Sequence, residues 1–166
     1  SPPKADAWTL DAMLKAAEAC YKAGYPFGIG LGVTEDNVDT AGAIFQSFGA
    51  NLVDAKGNIS VKSDPVRQAL EYYKKLAQWL PPDAPAWDNT SNNKYLIAGK
   101  GTLYHYPNPH NHQILSVAAQ PAPPKIAVQI YTQAIPTKMV VRFMQGEPLE
   151  KTLAWAESEV EGFMRT

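Results

Sequence analysis

Apolar positions recur along this chain with two periods, and the alternation between them divides it into elements. Over "WTLDAMLKAAEACYKA", residues 8–23, Leu10, Met13, Leu14, Ala17 and Tyr21 fall on one face at helical spacing. Thr9 is placed to cap that helix and Gly24 to stop it. "YPFGIGLGV", 25–33, reads as a short buried strand loosened by glycine. "DNVDTAGAIFQSFG", 36–49, returns to helical spacing, with Val38, Ala41, Ile44, Phe45 and Phe48 inward and Gly49 at its C-terminal end. "NLVDAKGNISV", 51–61, reads as two short strands around an Asp-Ala-Lys-Gly turn, the signal of a hairpin.

The clearest helix comes next. Ser63 or Asp64 caps it, Pro65 occupies the first turn, and Val66, Ala69, Leu70, Tyr73, Leu76 and Ala77 form its stripe before "LPPDAP" ends it. Asn89 can cap a short helix over "TSNNKYLIA", stopped by Gly99. "GTLYHY", 101–106, reads as a strand, followed by a proline-rich loop over 107–124. Helical segments at 125–134, 136–145 and 147–165 close the chain, the last carrying Leu149, Leu153, Ala156, Val160 and Phe163 at helical spacing. Strands interleaved with helices predict an α/β fold, a small mixed sheet flanked by helices with C-terminal helical segments. All of it forms one domain, 1–166: a first segment to residue 100, a connecting strand and loop over 101–124, and the C-terminal helices from 125.

Composition narrows the function classes. At 166 residues, 45% hydrophobic and 19% charged, the chain suits one soluble globular domain with a full core. Fifteen Lys and Arg stand against sixteen Asp and Glu, a net charge of −1. Nucleic acid and anionic lipid therefore find neither a basic excess nor a polybasic run. The single cysteine, Cys20, excludes an internal disulfide and a multi-cysteine zinc site, and its apolar helical setting predicts a buried, inert thiol. No apolar run reaches the length of a membrane span and no signal peptide opens the sequence, so an exported protein of this sequence would be a processed form.

Motifs for phosphate cradles, nucleophile elbows, redox cysteine pairs and zinc proteases are absent from the sequence. "GIGLG" lacks dinucleotide-binding spacing, and Cys20 has no base nearby in sequence, so no enzyme is expected. "GTLYHYPNPHNHQ", 101–113, holds all three histidines, His105, His110 and His112. His110 and His112 are two apart and would share a side in an extended loop, but no Cys, Asp or Glu adds an anionic ligand, and Pro107 and Pro109 restrict the backbone. A solvated loop without metal or cofactor is the expectation. "PAWDNTSNN", 85–93, is different: Trp87 sits among Asp88, Asn89, Thr90, Ser91, Asn92 and Asn93. An indole face beside amides and a carboxylate suits a sugar, while a packed tryptophan beside a polar helix cap explains the same residues; residue types leave both open.

"WTLDAMLKAAEACYKAGYPFGIGLG", "FQSFGANLVDAKGNISVKSDPVRQALEYYKKL", "AWDNTSNNKYLIAGKG" and the ending "IYTQAIPTKMVVRFMQGEPLEKTLAWAESEVEGFMR" together resemble family 1 extracellular solute-binding proteins. These are the periplasmic receptors of carbohydrate-type ABC importers, and the resemblance spans residues 7–100 and 125–165. It implies a periplasmic-binding-protein-like lobe that captures a small solute, a sugar or polyol, and delivers it to a membrane permease. Family members are more than twice this length and close two lobes on the ligand. Here the stretch that would return to the N-terminal lobe is missing, implying a C-terminal lobe made continuous by internal deletion, with a junction near 99–103.

By position the resemblance assigns Trp87, Asp88, Asn92 and Asn93 to the ligand, with Thr34, Asp36 and Asp39 after the first strand, and Tyr104 and His105 where the family has hinge and cleft residues. If a micromolar receptor draws equally on two lobes, one lobe keeps half of about 8 kcal/mol, a millimolar affinity. The uncovered cleft face would be a surface for homodimerisation. A folded fragment without ligand, and a metal-binding histidine loop, are the competing readings.

Overall fold

A computed structural model describes residues 9–102 and 122–165. Among them are seven α-helices: α1 (Leu10–Lys22), α2 (Glu35–Ser47), α3 (Asp64–Ala77), α4 (Ser91–Ile97), α5 (Pro124–Thr132), α6 (Ile135–Met144) and α7 (Leu149–Met164). A single 3₁₀ turn, Ala84–Ala86, lies between α3 and α4. Local chemistry sets these boundaries. Thr9 Oγ1 accepts from the Ala12 N–H at 3.1 Å at the start of α1, and Thr34 Oγ1 accepts from the Asn37 N–H at 3.4 Å at the start of α2. Proline stands in the first turn of α3, α5 and α6, where its missing N–H leaves no helical bond unmade.

The expected α/β fold is not what forms. No sheet assembles among the described residues, and the architecture there is helical. Residues 26–31 are buried, as a strand would be, and Gly28 makes an isolated bridge, but no ladder forms among the described residues. The Leu31 N–H donates to the Ala84 carbonyl at 2.8 Å, and Asn37 Nδ2 donates to the Gly32 carbonyl at 2.7 Å. Thr102 donates from its N–H to the Pro26 carbonyl at 3.3 Å and from its hydroxyl to the Tyr25 carbonyl at 2.9 Å. A short apolar run has the length and burial of a strand whether or not a neighbour pairs with it, which is why the pattern misleads. The hairpin over 51–61 is reduced to one antiparallel bridge, Val53 with Ile59. Its turn is held by the Asp54 carboxylate, which accepts from the Lys56 and Asn58 N–H groups, both at 2.8 Å. The strand expected at 101–106 lies, beyond Thr102, outside the described residues.

Helix α6 is the centre of the packing. It lies against α2, α3, α5 and α7, and Ile135, Met139, Val140 and Phe143 are buried there. The stripe of α3 packs as its spacing requires, with Val66, Ala69, Leu70, Tyr73 and Leu76 all buried. Tyr72 ties α3 to α1 by donating its hydroxyl to the Leu10 carbonyl at 2.9 Å. On the outside, Arg67 with Glu150 and Lys62 with Glu157 link the 62–67 region to α7. Exposed pairs of this kind add register more than stability. Arg142 is held by Glu147 at 2.7 and 2.8 Å, and its guanidinium lies 4.5 Å from the centre of the Trp155 ring. Cys20 is half-buried against the core, not fully buried as its pattern implied.

Between α5 and α6 the chain reverses through Ala134, which adopts the left-handed conformation at φ 51°. A side chain there is strained, and the reversal brings the C-terminal end of α5 beside the start of α2.

Candidate functional site

Three stretches distant in sequence enclose a cleft of about 600 Å³: Val33, Thr34 and Glu35 at the start of α2, the turn Asp88–Thr90, and Tyr131, Thr132 and Ala134 after α5. The contact that brings the first two together is made by backbone. Gly32 lies so close to the end of the 3₁₀ turn that a Cβ on it would sit 2.3 Å from the Trp87 carbonyl oxygen. With that approach made, the Asp36 N–H donates to Asn89 Oδ1 at 3.4 Å, and Asn92 Nδ2 donates to Asp36 Oδ2 at 3.4 Å. The open amides at the start of α2 thus receive an acceptor from a turn more than fifty residues away.

Asp88 organises that turn. Its Oδ1 accepts from the Thr90 N–H at 2.8 Å, the Thr90 hydroxyl at 2.9 Å and the Ser91 hydroxyl at 2.8 Å, while the Ser91 oxygen accepts from the Asp88 N–H at 3.0 Å. These bonds to Ser91 and Thr90 hold the carboxyl down at about 2. Asp88, and not Asn89, therefore secures the entry to α4, and Asn89 is turned toward α2 instead.

Behind the cleft the charge is negative. Burial, then Asp36 and Glu35, raise the Asp39 carboxyl above its ordinary value. Its Oδ1 is buried with no hydrogen-bond partner. The same acidic groups reach the cleft wall: burial, then Asp39, Glu35 and Asp36, raise the Tyr131 hydroxyl. The folded state holds the Asp39 proton more tightly than the unfolded chain does, so this carboxyl costs stability progressively as pH rises above 3.8. Asp39→Asn is therefore expected to melt above the wild type at neutral pH, with the gain shrinking to nothing as pH falls below that value. Thermal melts across pH check it; a gain that persists in acid would assign the effect to packing instead.

Of the residues the sequence singles out, Thr34 and Asp88 line the cleft, and Asp36 and Asn92 brace it from behind. Asn93 is exposed on α4, its side-chain amide 3.5 Å from the Asn89 carbonyl. Trp87 is only 6% exposed, with its ring 4.9 Å from that of Tyr95 at 52°. It borders a second cavity of about 460 Å³, with Asp83, Lys94, Tyr95 and Lys100, and offers no stacking face to the first. Tyr104, His105, His110 and His112 lie outside the described residues. Sequence reasoning passed over Glu35, Tyr131 and Thr132. The last two sit at the end of an apolar helix stripe, and only the strained turn at Ala134 aims them at α2.

Among the described residues no group of three His, Cys, Asp or Glu side chains is arranged to hold a metal ion, and no helix is long and apolar enough to cross a membrane. Comparison with protein-family models, curated proteins and solved structures finds no match to this chain.

Proposed function

We propose that this chain is a solute-binding lobe of the receptor type that serves carbohydrate ABC importers, holding a small hydroxylated solute in the cleft between α2, the 88–90 turn and α5. It binds and does not catalyse. The observation that carries the reading is the convergence of Thr34, Asp36, Asp88 and Asn92, two sequence-distant groups joined by the Asp36–Asn89 and Asn92–Asp36 hydrogen bonds beside a cleft of about 600 Å³. That volume falls in the range of small-ligand sites. The resemblance of residues 7–100 and 125–165 to solute-binding receptors supports the same class. The aromatic wall belongs to Tyr131, since Trp87 is buried elsewhere.

The test is a two-dimensional NMR titration with neutral hexoses and polyols, following the Thr90 backbone amide and the Asn89 and Asn92 side-chain amides. Saturable shifts at millimolar solute are expected, weakened at least about fivefold by Tyr131→Ala, the loss of one aromatic contact. A dispersed spectrum in which none of these signals moves with any solute overturns the proposal.

A further inference from the structure

The glycines of "GIGLG", 28–32, lack dinucleotide-binding spacing, yet two of them stand where no side chain fits. A Cβ on Gly32 would meet the Trp87 carbonyl oxygen at 2.3 Å. One on Gly30 would meet the Asn37 side-chain amide, 2.8 Å from Oδ1 and 3.0 Å from Nδ2. That amide belongs to a polar residue of α2 that is only 7% exposed. Its Nδ2 donates to the Gly32 carbonyl at 2.7 Å, and the Thr34 N–H reaches the same carbonyl at 3.0 Å. Gly32 is thus held on one side by the start of α2 and lies on the other against the end of the 3₁₀ turn.

The place of Asn37 in its helix gives this bond a consequence. The residue before it is Asp36, whose N–H meets Asn89 Oδ1 and whose Oδ2 meets Asn92 Nδ2. The first turn of α2 therefore grips both sides of the junction, 30–32 through residue 37 and 89–92 through residue 36. Asn37 itself is not among the cleft's lining residues. We propose that Asn37 is the positioning residue of the cleft. Its amide sets where Gly32 lies against Trp87, and through that contact where Asp88 and Asn89 stand. That the cleft so positioned holds a solute rests on the reading above.

Asn37→Leu keeps the shape and removes the donor. Amide exchange by NMR then compares Leu31, which donates to the Ala84 carbonyl across the junction, with Ala156, buried on α7. Leu31 is expected to lose about tenfold more protection than Ala156, the scale of one buried hydrogen bond, and the Asn89 side-chain signals to move. Met139→Ala, which loosens the core as a whole, should lower both amides together and leave the Asn89 signals in place. Hexose affinity should fall about tenfold in Asn37→Leu and stay within about twofold in Met139→Ala, well below both melting temperatures. Should Asn37→Leu fail to fold, the wild type decides. Asn37 side-chain amide protons that exchange as slowly as the Leu31 amide support the clamp, and exchange as fast as at exposed Asn93 overturns it. Leu31 and Ala156 falling together in Asn37→Leu, with the Asn89 signals unmoved, overturns the positioning role and leaves the solute reading standing. The positioning signature in a protein that no solute perturbs upholds the role of Asn37 and overturns the solute reading.

Discussion

Gly32→Ala is expected to destabilise the protein by about 3 kcal/mol and to remove solute binding in the same stroke. A Cβ at this position meets the Trp87 carbonyl oxygen at 2.3 Å and the Pro85 carbonyl at 3.3 Å. Both are backbone atoms, so no side chain can rotate out of the way. The 85–87 segment would have to withdraw from 31–32, straining the Leu31 to Ala84 bond of 2.8 Å and the bond from Asn37 to the Gly32 carbonyl. Asp88 and Asn89 would withdraw with it from the start of α2. For a chain of this size the loss corresponds to a fall in Tm of roughly 6–12 °C. Gly162→Ala is the control, on α7 with nothing within 4 Å of the added carbon. There the same chemical change should stabilise by about 0.5–1 kcal/mol, because alanine gives up less backbone freedom in a helix. Circular-dichroism melts of the two variants must move in opposite directions; a Gly32→Ala protein that melts with the wild type would mean the two segments are not in contact.

Met139→Ala should cost a comparable amount, about 3 kcal/mol, through the core and with the site's chemistry untouched. Met139 is fully buried at the middle of α6, where that helix meets its neighbours. Truncation removes the transfer free energy of the side chain and leaves a hole that four helices would have to shift to fill. Urea titration checks it, with the midpoint falling and the slope unchanged. Ile97→Ala removes a side chain of similar size that is 86% exposed and should change the unfolding free energy by less than about 0.5 kcal/mol. Equal effects at the two positions would place α6 outside the core.

The helices were legible because their ends carry chemistry that acts locally. Thr9 caps as its position before an apolar stripe implies, and Pro65 stands in the first turn of α3 as expected. The α/β reading failed at one kind of element. A glycine-spaced apolar run such as 25–31 is buried by packing, and nothing within the run reveals whether a second strand or a turn takes its backbone hydrogen bonds. The polar half of the site was legible from the density of short side chains over 88–93. Its aromatic half was not. Trp87 draws the eye beside a polar turn, yet it pairs with Tyr95, eight residues on, and turns inward. Tyr131 looks like one more member of a helix stripe, and its place in the cleft depends on a left-handed alanine three residues later that no spacing rule foretells.

The central position of α6 also bears on the order of events when the chain is made. Helices α2 and α3 leave the ribosome before the helix that covers part of their apolar sides, since each rests on α6. A nascent chain ending near residue 102 exposes those sides to water and to other nascent chains, and native structure waits for about forty more residues of synthesis, a few seconds at cellular elongation rates. Slowing translation through the stretch before α6 should therefore lengthen the vulnerable interval and lower the soluble yield, with no change in the sequence of the finished protein.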